Sequence, residues 1–376
     1  MRGSARIPKL LQAVVWGTVC SWAMSWGCGT AGLARVHAAD GVAGPAGPAI
    51  VSLVLEPPLI QFSGLQRQQQ LQVSAKTGSG ALIDVTHDCK YQLSDSTVAT
   101  LDGSLLTGAH RGRTELTVTY RGLSVHRRVR VDQMQSFPRI DFESDIAPLF
   151  SKLGCNSGGC HGKALGRKGF KLSVFGSEPE VDYRSLVDES RGRRLFPGAP
   201  GRSLLVRKAV GEIAHGGGRR TDRGSQDYAL LTEWIRQGMT RRAPESGTLT
   251  AIRVSPSERI LAPESVQQIL VTAVYSDGTR RDVTPAASYS SNLQEVANVD
   301  RTGRIQVGAI SGEAAITVNY MGRVSAVRVL IPSLRASQPG TPPALTNEID
   351  RLVWAKLAKM RLRASDTCDD ATYLRR

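Results

Sequence analysis

The chain has 376 residues, 41% of them hydrophobic, and carries 48 Lys and Arg against 33 Asp and Glu for a net charge of +15. That length and composition imply two to four packed domains and exclude a disordered or low-complexity chain. So large a positive charge raises nucleic acid as a partner, but aromatics are only 5% and the basic residues are spread over every segment, which leaves no stacking platform and argues against it.

Residues 1–39 read as an export signal. Arg2, Arg6 and Lys9 precede an apolar run from Leu10 to about Ala34, and Val36-His37-Ala38 offers a small-residue cleavage pattern. An uncleaved anchor is the alternative, since the run approaches spanning length although Trp, Ser, Gly and Cys interrupt it. A lipid attachment at Cys28 is disfavoured by the bulky Trp26 two residues before it. Beyond residue 40 no apolar run is long enough to span, so a mature chain without a transmembrane segment is expected in the periplasm or at the cell surface.

An internal repeat follows. Asp84-Val85-Thr86 recurs as Asp282-Val283-Thr284, Val98-Ala99 as Val296-Ala297, and Leu101-Asp102 as Val299-Asp300, all at one constant offset. After an insertion at Arg301-Thr302, Gly103, Gly108, Thr117-Val118 and Tyr120 recur as Gly303, Gly308, Thr317-Val318 and Tyr320. Short alternating strands are expected in each copy, with Leu71, Val73 and Ala75 on one face in the first, Leu270, Thr272 and Val274 in the second, and a turn at Asp277-Gly278. Such strands predict a sandwich. Through Asp-Val-Thr, the Val-Ala-x-[LV]-Asp segment, the Gly after it and the Thr-Val-x-Tyr strand, residues 48–133 and 247–333 resemble bacterial Ig-like group 2 domains. The resemblance implies structural modules with possible cell-surface contacts and no chemistry.

Between the copies lies Cys155-Asn156-Ser157-Gly158-Gly159-Cys160-His161, a C-x4-C-H pattern. Two thiols ending on a Cys-His pair suit covalent haem attachment: each sulfur can add to a vinyl group while the imidazole reaches one face of the iron. The usual spacing is C-x-x-C-H, and the additional residues here are small and flexible. On these residues alone a short disulfide loop, or structural zinc held with a distant His, stays open. Ser144 is the expected cap of a helix with Ile146, Leu149, Phe150 and Leu153 on one face, ended by Gly154. Tyr228, Leu231, Trp234 and Ile235 predict a second amphipathic helix, opened near Ser225 and closed at Gly238.

With Asp145-Ile146 through Phe150, Cys160-His161-Gly162, Pro197-Gly198 with Pro200, Ser203 and Leu204, and Leu230-Leu231 with Trp234, Ile235 and Gly238, residues 137–243 resemble the cytochrome c module of large exported planctomycete proteins. The resemblance implies one covalent haem c on Cys155 and Cys160, with His161 as proximal iron ligand. For the distal ligand, the interval from Pro197 to Ser225 contains no Met and only His215, beside Gly216–Gly218, which let the backbone approach closely. Met239 is the alternative, and a five-coordinate iron is a third. Arg191, Arg193, Arg194, Arg219, Arg220 and Arg223 form a basic rim suited to an acidic redox partner, which itself stays unknown. His215-Gly216-Gly217-Gly218 also matches an esterase oxyanion loop, but the chain has no G-x-S-x-G elbow, so that catalytic reading falls.

Residues 334–346 have linker composition, and 347–376 resemble the opening of the uncharacterised domain that follows such modules, read as a truncated start. Cys89 and Cys368 are left without an obvious partner; Cys89 reads as a small buried hydrophobe rather than half of a disulfide. The expected fold class is therefore multi-domain, two all-β Ig-like sandwiches flanking a mostly α class I cytochrome c-like domain. The expected function is one-electron transfer or redox sensing by an exported haem module. The alternative is a structural surface or adhesion protein in which Cys155 and Cys160 form a disulfide and no haem is bound.

Overall fold

The computed structural model describes residues 48–63, 68–132, 139–243, 247–334, 347–366 and 368–375. The export signal expected over 1–39, with Cys20 and Cys28, and nearly all of the linker over 334–346 lie outside the described residues. The first β module contains β1 (Ile50–Glu56), β2 (Ile60–Phe62), β3 (Gln68–Gln70), β4 (Gln72–Thr77), β5 (Leu82–Asp84), β6 (Lys90–Leu93), β7 (Ala99–Asp102), β8 (Leu105–Gly108), β9 (Gly112–Tyr120) and β10 (Leu123–Val131). They pair as β1-β4-β5, β2-β10-β9-β6 and β3-β8-β7.

The second module repeats this order with β11 (Leu249–Ser255), β12 (Glu258–Ile260), β13 (Val266–Gln268), β14 (Leu270–Tyr275), β15 (Arg280–Asp282), β16 (Ser288–Ser291), β17 (Ala297–Val299), β18 (Arg304–Val307), β19 (Gly312–Tyr320) and β20 (Arg323–Ile331). Its sheets are β11-β14-β15, β12-β20-β19-β16 and β13-β18-β17. In both modules the long hairpin turns on two residues with positive φ, Arg121-Gly122 and Met321-Gly322, the backbone that matches the right-handed strand twist.

The repeated Asp-Val-Thr has a physical explanation. Thr86 and Thr284 are fully buried, and each hydroxyl accepts the backbone N–H of a facing strand residue, Val73 at 2.9 Å and Val271 at 2.8 Å. The Asp two residues earlier accepts the Thr amide, at 2.8 Å in the first copy and 2.9 Å in the second, so side chains complete a ladder that the strand leaves open. Leu71, just before β4, and Val73 and Ala75 within it are inward-facing and fully buried, as expected. In β14 the inward set is Val271, Ala273 and Tyr275, not Leu270, Thr272 and Val274. A strand alternates with a period of two, so reading the repeat one residue out of step exchanges the two faces.

Each module has its own closed apolar core, with no residue shared between them. Expressed alone, residues 247–333 are expected to give a cooperative, β-rich thermal transition by circular dichroism, and a disordered product would contradict the separation of cores.

The two modules also touch. The Gln70 amide donates to Asp282, and the Gln268 amide donates to Asp84 at 2.9 Å, so each Asp-Val-Thr carboxylate receives a backbone N–H from the other module. Gln267 Nε2 adds a second bond to Asp84 at 2.7 Å, and Gln72 Nε2 donates to the Gln268 carbonyl at 3.1 Å.

Between the modules, residues 139–243 hold α1 (Ala147–Lys152), α2 (Pro179–Val187), α3 (Leu204–Ala209) and α4 (Gln226–Arg236). The expected fold class is corrected here. Described residues form twenty strands in six small sheets, whereas the four α-helices cover less than a third of the central segment, which is mostly turns and irregular chain. A mostly α domain is not formed because left-handed residues interrupt the chain repeatedly, among them Gly154, Gly166, Gly169, Gly176, Gly192 and Gly211, and Ser190 and Arg191.

The first helix is also capped differently. Asp141, not Ser144, supplies the cap, accepting the Ser144 amide at 2.7 Å, and the chain makes one π-turn over Phe142–Ile146 before α1. Ser225 caps α4 through the Tyr228 amide at 3.1 Å, and Gly238 leaves it with a left-handed backbone. Trp234, Phe142, Phe150 and Leu231 form the centre of this third core. After the second module, α5 (Glu348–Met360) is tied to it by Lys359–Glu258 at 2.9 Å and the buried Met360, and α6 (Asp370–Arg375) follows.

Candidate functional site

α1 delivers the chain into the C-x4-C-H loop. Gly154 takes a left-handed conformation, and the loop then folds back on itself: the Cys160 amide donates to Ser157 at 2.9 Å and the His161 amide to the Cys155 carbonyl at 3.0 Å. Gly162 is required, because a Cβ there would lie 2.2 Å from the Asn156 carbonyl oxygen. By contrast a Cβ at Gly158 or Gly159 would meet nothing within 4 Å, so neither position requires glycine for space. Asn156, only 2% exposed, pins the loop to α1 by donating to Ser151 Oγ at 2.8 Å.

This loop forms one wall of a cavity of about 570 Å³. Cys155, Cys160, His161 and His215 all line it, together with apolar Phe150, Leu172, Leu204, Leu205 and Ala209. The imidazoles of His161 and His215 are 9° from parallel, with centroids 6.2 Å apart. Each is oriented through Nδ1 by a backbone carbonyl, His161 by Phe170 at 3.0 Å and His215 by Gly218 at 3.2 Å. That leaves both Nε2 atoms unengaged by those bonds, the arrangement in which an imidazole serves as a ligand. Burial, the dominant effect, holds His161 below its ordinary pKa, opposed by its bond to the Phe170 carbonyl and reinforced by His215, Arg167 and Arg194.

Burial pushes the Cys155 thiol up to about 11, with the Arg220 guanidinium opposing, so Cys155 is protonated at neutral pH. Arg220 also reaches Cys160 Sγ at 3.7 Å and the Leu153 carbonyl at 3.4 Å. Both loop cysteines are free, as are Cys89 and Cys368. The disulfide of the alternative reading is therefore not formed.

Met239 is placed elsewhere. It lies just beyond α4 with positive φ, packs on the central core, and its carbonyl accepts from Tyr183 at 2.9 Å. It does not line the cavity. Of the expected rim, Arg193, Arg194 and Arg220 line the cavity with Arg167, Lys168 and Lys208, whereas Arg219 and Arg223 are paired with Asp222 and Glu212.

Three side chains support the site in roles the sequence reading did not assign them, although it named Arg194 and Arg220 as rim residues and Asn156 within the loop. Arg194 is buried, donates to the carbonyls of Ser185 at 2.8 Å and Gly169 at 2.6 Å, and covers the Phe170 ring, whose other neighbour is His161 at 4.6 Å between centroids. Asn156 and Arg220 are the other two. Nothing in an Arg-rich run distinguishes a buried guanidinium from solvated ones, so Arg194 carried no signal of its role.

The wider expectation of cytochrome c, with electron transfer, iron and metal binding, is corrected with the fold. The usual C-x-x-C-H spacing is absent, the segment is not a mostly α domain, and among the described residues no group of three or more His, Cys, Asp or Glu is arranged to hold a metal ion. Among those residues no helix is long and apolar enough to cross a membrane.

No protein-family model matches the chain. Ice-binding protein 1 of Shewanella frigidimarina is 37% identical over 73 residues, 19% of this chain and only 8% of that protein. Among solved structures, domains 5–6 of the S-layer protein SbsC superpose with a TM-score of 0.29 at 10% identity, covering 76% of this chain and 100% of that one. Domains 4–9 of the same protein give 0.30 at 10% identity, over 79% of this chain and 33% of that one. The Yersinia pseudotuberculosis adhesin InvE gives 0.17 at 9% identity, over 77% and 60%. Superpositions at this level do not establish a shared fold.

Proposed function

We propose that the chain is a structural protein of the cell surface or periplasm, in which two β modules act as one rigid holder for the segment between them. The observation that carries this reading is the exchange of Asp84 and Asp282 hydrogen bonds between modules that otherwise have separate cores. Such a joint fixes the modules relative to each other, as a display or spacing role requires. The test is fractionation of cells expressing the full chain with a C-terminal epitope tag. Recovery in the periplasm or on protease-accessible surface is expected, and retention of the whole product in the cytoplasm overturns the reading.

A further inference from the structure

The joint between the modules has a symmetry the chain does not need for itself. Asp84 and Asp282 occupy equivalent positions of the repeat, and so do Gln70 and Gln268, because both pairs are separated by the same offset. The first module gives its Gln70 N–H to Asp282 and takes the Gln268 N–H on Asp84. The Gln side chains are also arranged alike: Gln70 Nε2 donates to the Leu71 carbonyl at 3.1 Å, and Gln268 Nε2 to the Ile269 carbonyl at 2.9 Å. One residue earlier, Gln69 and Gln267 each donate to the following carbonyl at 2.9 Å. The contact is therefore a pseudo-two-fold one, in which each module presents the same donor and the same acceptor.

A two-fold contact between like surfaces is self-complementary. We infer that the face carrying Asp282, Gln267 and Gln268 is a homotypic association surface, and that the partner it fits is the same face on a second copy of this chain. In such a pair Asp282 of each copy accepts the Gln268 N–H of the other, with Gln267 Nε2 adding the bond it now makes to Asp84. The first module occupies that face in the closed chain, where Gln267 and Gln268 are each 1% exposed. Association between chains thus depends on releasing the internal contact. It does not depend on where the chain is displayed.

The test uses the full chain. Asp84→Arg removes the carboxylate that receives Gln267 and Gln268 and sets a guanidinium against the same donors, freeing the second module's face. Gln72→Glu is a gentler alternative, placing a carboxylate against the Gln268 carbonyl, should Asp84→Arg fail to fold. Sedimentation velocity is expected to show wild type as a monomer and the single variants as dimers, associating at least tenfold more tightly than wild type. Adding Asp282→Ala is expected to restore the monomer. Hydrogen exchange at the Gln268 amide reports whether the face was freed: it should quicken in dilute single variants and slow again on dimerisation. Single variants that expose Gln268 yet stay monomeric overturn the proposal. So does a dimer that survives Asp282→Ala, or an amide protection that neither substitution alters.

Discussion

Replacing Trp234 by alanine is expected to destabilise the central segment by about 3–5 kcal/mol, the range for removing a large buried aromatic side chain. Trp234 is fully buried, lies 5.6 Å from the Phe142 ring, and donates its indole N–H to the Thr240 carbonyl at 3.0 Å. That bond holds the end of the segment against its beginning, because Thr240 also accepts the Phe142 amide at 3.0 Å. Calorimetry should show the transition of residues 139–243 lost or moved far down, while the transitions of the β modules persist on their own cores. Trp234→Phe keeps most of the apolar contact and forfeits chiefly the hydrogen bond, so about 1–2 kcal/mol is expected there. A Trp234→Ala protein that melts like wild type would refute this account of the core.

The second large effect is on pH. Burial raises Asp145 to about 7, with Asp141 adding to it and Arg281 opposing; burial also raises Asp282 to about 6 against its hydrogen bonds, and Asp84 moves in the same direction. An acid whose folded pKa is raised contributes stability below its unfolded pKa near 4, and that contribution is lost as pH rises through the folded value. The window for Asp282 and Asp145 therefore extends from about pH 4 to about 7, and stability falls upward through it. His161 works the other way, since its lowered pKa makes its protonation at acid pH costly to the fold. The clean measurement is therefore a difference. The urea midpoint of wild type minus that of Asp145→Asn, followed from pH 5 to 8, should fall with rising pH by the equivalent of a few kcal/mol. A flat difference would mean that Asp145 stays ionised against Arg281, 3.2 Å away, throughout.

Asp145 and Arg281 also illustrate what pattern alone can carry. Each sits in a segment whose local structure the sequence announces: Asp145 precedes an apolar helix face, and Arg281 precedes Asp-Val-Thr. That they meet across two parts of the chain, so that the Arg281 charge opposes the effect of burial on Asp145, belongs to packing.

Local order was legible wherever a short-range rule applies. The period of two in Leu71, Val73 and Ala75, the Ser225 cap of α4, and the left-handed Gly154 and Gly238 at helix ends follow from backbone geometry within a few residues. The repeated Asp-Val-Thr was visible as a pattern, and His161 and His215 were singled out as ligand-competent. Tertiary structure alone decided the rest. It set the inward face of β14, because a one-residue slip leaves an apolar strand apolar on both faces. It kept the central segment from becoming mostly α, since many separate left-handed positions add up to irregular chain only when packed around one core. It brought His161 and His215 parallel across a cavity, sent Met239 away, and buried Arg194 over the Phe170 ring. And it turned a tandem repeat into a pseudo-two-fold joint, because a hydrogen bond between Gln268 and Asp84 depends on how two surfaces meet, which no local periodicity encodes.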